Sequence, residues 1–386
     1  MSTPPPKGSY ATVVAIAIAR IAFGYQVQTV ASLAPDLART FTLDFAAIGT
    51  LIGLYMAPGV FVALPVGFLA RRFGDFSIAA IGTALMTVGA VLAAAADGPT
   101  LIGVGRAVSG CGAVALTVLQ GKIIADRFDG ARFTTLMGMM TGIFPVGLGI
   151  AQITQSRLAD AFGWQSAFLA GGVISAVGVV LFVVTWKPLP NAAPRTLSFP
   201  SKRECGLVII ASLIWTFYNA AYFNFLAYMP SFLTVHGHSA ATADVVMMLA
   251  TWGNLPAILI GGALAIRFGP TKVFLAGTFF CALSVAGPAF WDAPVFWGAI
   301  FGTIASIHGG LIVQIGTLAT RPENRAIGMA IFYTTYYIGG SAMPALCGRV
   351  ADITGDPAGA LLAAAILSLL AIPLYYWQRR AMGAPQ

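Results

Sequence analysis

Residues 67–74 read Gly-Phe-Leu-Ala-Arg-Arg-Phe-Gly, and residues 262–269 read Gly-Ala-Leu-Ala-Ile-Arg-Phe-Gly. Six of the eight positions are identical, and the two segments lie 195 residues apart. Pro35 and Pro230 keep the same spacing. A fixed offset between matched landmarks indicates a duplicated unit, so the sequence predicts two similar halves.

A further matched pair supports the duplication. Arg157-Leu-Ala-Asp160 is followed by Gly163, and Arg349-Val-Ala-Asp352 is followed by Gly355, at an offset of 192 residues. The predicted domains are therefore an N-terminal half (1–186), a cytoplasmic linker rich in proline (187–204) and a C-terminal half (205–386).

The composition excludes a soluble protein. Of the 386 residues, 58% are hydrophobic and 9% are charged, whereas soluble domains carry about 25% charged residues. Apolar runs of about 20 residues are long enough to cross a bilayer as helices, and the period-two alternation of a membrane β-barrel is absent. We predict twelve membrane-spanning helices, at 10–33, 46–70, 77–96, 100–121, 134–155, 165–186, 205–229, 240–266, 271–290, 294–319, 325–348 and 356–378.

The net charge of +8 follows a topological pattern. If the N-terminus is cytoplasmic, the twelve spans place three basic residues on the outside, namely Arg39, Arg157 and Arg349. Two more, Arg20 and Arg106, lie within spans. The other sixteen Lys and Arg face the cytoplasm, which is the positive-inside distribution. We therefore expect both termini in the cytoplasm. The basic residues indicate contact with anionic membrane lipid and no nucleic-acid partner.

Three motifs carry a family resemblance. The segment from Gly67 to Gly74 lies in the loop between spans 2 and 3, Arg106-x-x-x-Gly110-x-Gly112-Ala113 lies in span 4, and Gly163-Trp164 with Phe168 opens span 6. On these motifs the chain resembles the major facilitator superfamily over nearly its whole length. The resemblance implies two pseudo-symmetric six-helix bundles that rock about a site near the middle of the membrane, with spans 1, 4, 7 and 10 lining the cavity.

Two departures from the family pattern bear on mechanism. Arg71 stands where the family usually has an acid in the first signature, and Asp75 stands at its later basic position. One hypothesis is that Asp75 takes the acidic role at the start of span 3, and the alternative is a solvated loop charge. We assign Arg71, Arg72, Asp75 and Arg267 to gating. The Gly-Pro step typical of antiporters is also missing from span 5, which favours uptake.

Two arginines inside spans call for a function, because a charge at the centre of a membrane helix costs roughly 2.5–3.5 kcal/mol on insertion scales. All 13 Asp and Glu fall in predicted loops or at span ends. A guanidinium in the cavity suits a carboxylate or similar oxyanion. We therefore predict that Arg20 and Arg106 contact an anionic solute. The alternatives are that Arg20 braces helices through backbone carbonyls, and that Arg106 has the coupling role implied by the resemblance.

Aromatic and amide side chains form a second candidate surface. Trp215, Asn219 and Tyr222 recur at helical spacing in span 7, so they share one face, and Tyr218 lies beside them. Such a face can contact a small organic solute, although anchoring at the membrane interface is a competing use of aromatics. Weaker candidates for the same role are Tyr333 and Tyr336 in span 11, and Tyr25 and Gln26 in span 1.

His308 is the only histidine within a predicted span. A histidine near its ordinary pKa can carry a coupling proton, and a neutral packing histidine is the alternative. The four cysteines lie in different spans without metal-ligand spacing. We expect no metal site and no cofactor, and no motif of an enzyme is present.

We predict an alternating-access secondary transporter, a monomer in a bacterial inner membrane, that takes up a small organic anion or polar metabolite with a proton. A drug or metabolite exporter working by proton antiport is the first alternative. Methionine clusters allow a copper importer, because thioethers bind Cu(I). A non-transporting membrane receptor is the remaining alternative.

Overall fold

The structure is a computed structural model that describes residues 9–128, 130–186, 199–321 and 324–383. The described residues form helices joined by turns and contain no strand, so the predicted all-α class is confirmed. Most of the predicted linker, residues 187–198, lies outside the described residues.

Helices of the first sequence copy, within these ranges, are α1 (Ser9–Ser32), α2 (Ala34–Phe41), α3 (Phe45–Gly53), α4 (Gly59–Phe73), α5 (Asp75–Ala94), α6 (Pro99–Ala125), α7 (Gly130–Phe162) and α8 (Gln165–Thr185). Those of the second copy are α9 (Lys202–Val235), α10 (Ala240–Trp252), α11 (Asn254–Phe268), α12 (Pro270–Ala286), α13 (Pro294–Thr303), α14 (Gly309–Leu318), α15 (Arg325–Thr354), α16 (Ala358–Leu369) and α17 (Ala371–Ala381).

Eight helical segments of the described chain are long and apolar enough to cross a membrane. They are Tyr10–Ser32, Asp75–Ala94, Pro99–Ala125, Thr135–Phe162, Gln165–Thr185, Lys202–Val235, Pro270–Ala289 and Ala358–Ala381. Spans 2, 8, 10 and 12 of the sequence prediction each consist of two shorter helices, and the last pair is separated by Leu370 alone. The total of twelve spans stays a prediction.

Local sequence accounts for three of these four interruptions. The break between α3 and α4 ends at Pro58, and the break between α10 and α11 contains Gly253, three residues before Pro256. Proline lacks the backbone N–H that continues the helical ladder, and glycine adds backbone freedom. The third break runs from Ile304 to His308, immediately before a pair of glycines. Interrupted backbone at membrane depth is tolerated where protein or a cavity surrounds it.

Contacts divide the chain into two units that differ from the sequence copies in one segment. Unit 1 comprises Met1–Thr29 and Leu54–Thr196, and unit 2 comprises Val30–Gly53 and Leu197–Gln386. The segment Val30–Gly53 belongs to the first copy in sequence, but its contacts are with helices of the second copy.

Small residues let the helices of unit 1 approach closely. A Cβ built on Gly112 of α6 would lie 2.0 Å from the carbonyl oxygen of Gly82 on α5, and one on Gly89 of α5 would lie 2.3 Å from that of Gly105 on α6. Backbone-to-backbone contact of this kind drives helix association in lipid, where apolar burial gives little advantage. α1, α6 and α8 share a buried core that includes Ile16, Leu116 and Phe182.

Unit 2 is built on the long helix α9. Its start is fixed by a capping box, in which the Ser201 hydroxyl accepts from the backbone N–H of Glu204 at 3.3 Å and the Glu204 carboxylate accepts from that of Ser201 at 2.7 Å. α9 packs against α15 through Ser212, whose hydroxyl donates to the Phe332 carbonyl at 2.5 Å.

The repeated segment has the same conformation in both copies. In the first copy it ends at Gly74, which has φ +85° and separates α4 from α5. In the second copy it ends at Gly269, which has φ +89° and separates α11 from α12. Only glycine adopts these angles with ψ near 150° without strain, which explains why both copies end in glycine.

Candidate functional site

Arg20 lies halfway along α1 in unit 1, and its side chain is partly exposed. Its Nη1 donates to the Thr117 hydroxyl of α6 at 3.1 Å. The guanidinium carbon lies 5.2 Å from the ring centroids of both Phe23 and Phe144, which is cation–π range. The charge therefore lies between α1, α6 and α7, beside two aromatic rings and a hydroxyl that accepts a hydrogen bond from it.

Arg106 occupies a different environment and is 2% exposed. Its guanidinium donates to the carbonyl of Gln26, and to that of Val27 at 3.3 Å, and lies 4.6 Å from the ring centroid of Tyr55. Its α1 partners lie six to seven residues beyond Arg20, about 10 Å by helix rise. The bracing through backbone carbonyls that we considered for Arg20 is thus observed at Arg106.

A small cavity of about 10 Å³ lies beside Arg106, and Gln26, Tyr55, Ser109 and Phe168 line it. This is room for roughly one water molecule. Gln26 is buried, and its amide donates to the Gly171 carbonyl at 3.0 Å and accepts from the Tyr55 hydroxyl at 3.2 Å. The polar groups around the cavity are therefore largely bonded within unit 1.

Tyr25 is buried on the neighbouring position of α1 and is 2% exposed. Its hydroxyl lies 3.2 Å from that of Thr154, and its carbonyl accepts from the Gln155 amide at 2.9 Å. Both Tyr25 and Gln26 thus join helices of unit 1 in this structure, and their predicted contact with a solute is untested.

In unit 2 the predicted aromatic face is a connected cluster on α9. The ring centroids of Trp215 and Tyr218 are 5.4 Å apart, and those of Trp215 and Tyr336 are 6.4 Å apart. Trp215 is partly exposed, and Asn219 is buried and donates to the Trp215 carbonyl at 2.8 Å. The structure brings these side chains together as the helical spacing predicts.

The two tyrosines of this cluster bond to the interrupted helices. Tyr218 donates to the Ser306 hydroxyl in the α13–α14 break at 3.3 Å. Tyr222 accepts from the Asn254 amide at 2.7 Å, and Asn254 is the first residue of α11 after the α10–α11 break. Two positions one helical turn apart on α9 thus contact both breaks. Tyr333 packs against Phe332 and Tyr337, with ring centroids 5.4 and 6.5 Å away.

His308 lies at the start of α14 and is 1% exposed. Its ring packs edge-on against Tyr218, with centroids 4.7 Å apart, and against Phe274 at 5.5 Å. Its Nδ1 has no hydrogen-bond partner within the described part of the chain. A Cβ on Gly277 would lie 2.3 Å from that nitrogen, so the glycine makes room for the ring.

The gating candidates lie around the repeated segment. Asp75 is the first residue of α5, the helix start at which we expected it, and it forms an ion pair with Lys122 of α6. Arg72 and Arg267, the matched basic residues, lie over the neighbouring Phe73 and Phe268 rings at 5.4 and 5.2 Å. Arg71 lies within α4, but its side chain lies outside the described atoms. The gating roles stay predictions.

Sequence reasoning missed four polar partners, namely Thr117, Tyr55, Asn254 and Ser306. Each is a polar residue within a predicted span, and three of them lie at a helix break. A polar residue close to Gly or Pro in an apolar run is the signal that marks them.

Repeated bundles of apolar helices with charged and aromatic side chains inside them define a multi-span membrane transporter. The chain belongs to the Major Facilitator Superfamily, whose sequence model matches residues 16–249 and 205–385. Two of its relatives are transporters of small solutes and not enzymes.

Two relatives come from Escherichia coli (strain K12). The 3-(3-hydroxy-phenyl)propionate transporter is 23% identical over 360 residues, covering 89% of this chain and 87% of that protein. The 2-nitroimidazole transporter is 24% identical over 355 residues, covering 88% of each. The crystal structure of the nucleoside transporter NupG has the same fold, with a TM-score of 0.77, 14% identity and coverage of 96% of this chain and 100% of that chain.

Proposed function

We propose that this transporter takes up a small organic anion that carries an aromatic or heteroaromatic ring, together with a proton. It does so as a monomer in the bacterial inner membrane, with both termini in the cytoplasm, by exposing its site alternately to the two sides. Its solute-binding residues are those predicted above, with Arg20 as the contact to the negative charge.

Arg20 is the observation that carries this proposal. It is a partly exposed guanidinium in the middle of a membrane helix, and the Thr117 hydroxyl and the Phe23 and Phe144 rings are among its contacts. A planar guanidinium recognises a carboxylate through two parallel hydrogen bonds. The flanking Phe23 and Phe144 rings offer apolar surface to the rest of the same molecule, so this surrounding suits an aromatic acid better than an inorganic anion.

Two further observations support a ring in the solute. Trp215, Tyr218 and Tyr336 form an aromatic cluster in unit 2, and Trp215 is partly exposed. The two relatives are named as transporters of a hydroxyphenyl propionate and of a nitroimidazole, both of which contain a planar ring. Planar solutes stack on such side chains at about 0.5–1.5 kcal/mol per aromatic pair.

Proton coupling is assigned to His308, with Arg106 as the conformational partner in unit 1. A buried imidazole whose Nδ1 lacks a hydrogen-bond partner among the described residues can change its protonation as the surrounding helices move. His308→Ala should therefore remove the pH dependence of uptake in proteoliposomes, and an unchanged pH profile would exclude this residue as the proton carrier.

The binding experiment compares 3-phenylpropionate with its uncharged amide, using quenching of tryptophan fluorescence in the purified protein. Charge-assisted hydrogen bonds contribute about 1.5–3 kcal/mol, so the acid should bind roughly 10–100-fold more tightly than the amide. Arg20→Gln should reduce the affinity for the acid to that for the amide and leave the affinity for the amide unchanged.

Arg157→Gln is the matched control, because Arg157 is an exposed arginine at the end of α7. It should leave both affinities unchanged. Equal affinity for acid and amide in the unmodified protein would contradict an anionic substrate, and an unchanged Arg20→Gln variant would remove Arg20 from the site.

Export is the second candidate function, because an aromatic cluster also suits a drug or metabolite. Uptake and export are distinguished by measuring solute accumulation in right-side-out and in inverted membrane vesicles with a proton gradient of fixed direction. Uptake coupled to proton entry requires accumulation in right-side-out vesicles. Accumulation in inverted vesicles alone would establish an exporter.

A further inference from the structure

Two histidines lie in the short turn between α9 and α10. His236 follows the last residue of α9, and His238 precedes Ser239, the cap of α10. Gly237 between them has φ +78°, and the backbone N–H of His238 donates to the Leu233 carbonyl at 2.9 Å. Because backbone hydrogen bonds close the turn onto the last turn of α9, both imidazole rings start from fixed positions.

Both ring nitrogens of His236 face hydrogen-bond acceptors. Its Nδ1 lies 2.9 Å from the Phe232 carbonyl oxygen, which can only accept, so this nitrogen carries a proton. Its Nε2 lies 3.3 Å from a carboxylate oxygen of Asp356, in the turn between α15 and α16. A neutral imidazole has one N–H and would present a lone pair to that carboxylate, whereas the imidazolium donates to both partners. The geometry therefore fits the protonated ring.

Both members of this pair are held in place by other contacts. The His236 ring stacks on that of Phe232, with centroids 4.1 Å apart and 29° between the planes. The other carboxylate oxygen of Asp356 accepts from the backbone N–H of Ala358 at 2.7 Å, at the start of α16. An exposed ion pair contributes little when long side chains must be ordered to form it. Here two short side chains that are already positioned lose little conformational entropy.

His238 makes a second pair of the same kind. Its Nε2 lies 3.0 Å from a carboxylate oxygen of Asp292, in the turn between α12 and α13. That turn is held by the indole N–H of Trp297, which donates to the Trp291 carbonyl at 3.0 Å. The α9–α10 turn thus contacts two other turns of unit 2, each through one imidazole and one carboxylate.

Other charged residues at this end of unit 2 have other partners or positions. Asp36 and Arg39 of α2, a helix that contacts α9, pair with each other at 2.5 Å. Asp352 of α15 caps the start of α3. Arg349 of α15 and Asp244 of α10 are exposed and form no ion pair with another described residue. Within the described chain, the two carboxylates named above are therefore the charged groups that face the imidazoles.

We infer that His236 and His238, with Asp356 and Asp292, form a clasp that closes when the solution outside is acidic and opens above neutral pH. The topology proposed above assigns these turns to the outside of the membrane. Histidine changes its charge between about pH 5 and 8, and each imidazole attracts its carboxylate only while it is protonated. We use the name outward clasp for these four residues. When closed it joins the outward ends of α9, α12 and α15, and with neutral rings the three turns move independently.

The outward clasp is distinct from the coupling proton assigned to His308. That ring is 1% exposed and packs against Tyr218 and Phe274 within the helices. The imidazoles of the outward clasp lie in surface turns, where they exchange protons with the outer solution and carry none across the membrane. Their effect is regulatory, because the mobility of one end of unit 2 then depends on the external pH.

The experiment is a double-mutant cycle on the melting temperature of the purified protein, measured at about pH 5.5 and about pH 8.5. Its variants are His236→Gln, Asp356→Asn and the two combined, and Asn keeps the acceptor for the Ala358 N–H while removing the charge. In acid, the pair should add about 1–2 °C beyond the sum of the single effects, the size expected for one exposed ion pair in a chain of this length. At the alkaline pH this coupling should vanish, because the ring is neutral.

Two further cycles frame this result. His238→Gln with Asp292→Asn should show the same acid-dependent coupling. His236→Gln with Asp244→Asn is the matched control, since Asp244 is an exposed carboxylate without a described ion pair, and it should show none at either pH. Coupling between His236 and Asp356 that is absent in acid, or equal at both pH values, would overturn the outward clasp.

A second measurement reports the geometry directly. Spin labels at Val235→Cys and Ile353→Cys, both exposed positions, follow the distance between the ends of α9 and α15 in a protein whose native cysteines are replaced by serine. The distribution should be narrow in acid and broader at the alkaline pH, and Asp356→Asn should be broad at both. A distribution that does not change with pH in the unmodified clasp would also overturn it. No solute is added, so a failure of Arg20→Gln to alter anion binding would leave the outward clasp standing.

Discussion

The two copies of the Arg-x-Ala-Asp segment have the same local form and different surroundings. Each lies in the last turns of a long helix, and each helix ends at a glycine with positive φ, +84° at Gly163 and +70° at Gly355. Asp352 of the second copy caps α3 with both carboxylate oxygens, and Asp160 of the first copy is exposed without a described partner.

The difference shows that duplication preserves local geometry, while long-range contact decides the function of each copy. The residue before the arginine of each segment also differs between the copies. It is Gly348 in the second copy and Ser156 in the first. Glycine is present where a backbone approaches closely, and serine where the side chain is exposed. Four sets of substitutions test whether the two copies differ in the way described.

Replacing Gly348 of the second copy by serine, the residue at the matched position of the first copy, should have the largest effect. Gly348→Ser places a Cβ 2.4 Å from the Phe45 carbonyl, and overpacking of this kind costs about 2 kcal/mol. The melting temperature of the purified protein should fall by several degrees. Ser156→Ala at the matched position should leave it unchanged, and a Gly348→Ser melting temperature equal to that of the unmodified protein would exclude close packing at this position.

Removal of the Tyr228 hydroxyl should have the next largest effect. Tyr228→Phe keeps the ring but takes the donor from the Pro344 carbonyl, at a cost of about 1.5 kcal/mol. The matched residue of the first copy is Leu33, which has no hydroxyl. Thermal unfolding of the purified protein should shift to a lower temperature. An unchanged melting temperature would exclude a stabilising role for this hydrogen bond.

The glycines that end α7 and α15 should behave alike. Gly163→Ala and Gly355→Ala each force an alanine into the left-handed region, which costs about 1 kcal/mol per residue. Both variants should lower the melting temperature by similar amounts. A large difference between them would mean that the two segments do not share their local geometry.

The smallest effect on stability is expected at Glu204, at the start of α9. Hydrogen bonds from the backbone N–H groups of Arg321 and Ser201 lower the pKa of Glu204 from 4.5 to about 2. Because the folded pKa is depressed, Glu204 contributes stability above pH 4.5, and this contribution is lost as the pH falls toward 2. Glu204→Gln should lower the melting temperature at neutral pH, and the difference from the unmodified protein should shrink with acid. A difference independent of pH would argue against this bonding.

Much of the fold was predictable because it depends on local pattern. Apolar run length indicates helices, and the repeat at Gly67 and Gly262 indicates the duplication. The breaks at 54–58, 253 and 304–308 were not predicted, because the mean hydropathy of a run is insensitive to one or two missing backbone hydrogen bonds. The packing of α3 in unit 2 was also missed, since a contact between residues about 300 positions apart leaves no local signal.

The candidate site was predictable in part for the same reason. Helical spacing correctly grouped Trp215, Tyr218 and Tyr222 on one helix. Their partners Asn254 and Ser306 lie on other helices, and Asp352 was recognised only as a landmark of the repeat. Which helix a side chain meets depends on tertiary packing, which a single sequence does not specify.

The most direct test of the central claim is the distance between α3 and α15, measured by pulsed electron paramagnetic resonance. Spin labels would be attached at Thr50→Cys and Ile353→Cys, both exposed positions, in a protein whose native cysteines are replaced. We expect one short distance in the unmodified protein and in Asp160→Asn, and a broader distribution with longer distances in Asp352→Asn, which lacks the charged cap of α3. One short distance, the same in all three proteins, would contradict the claim.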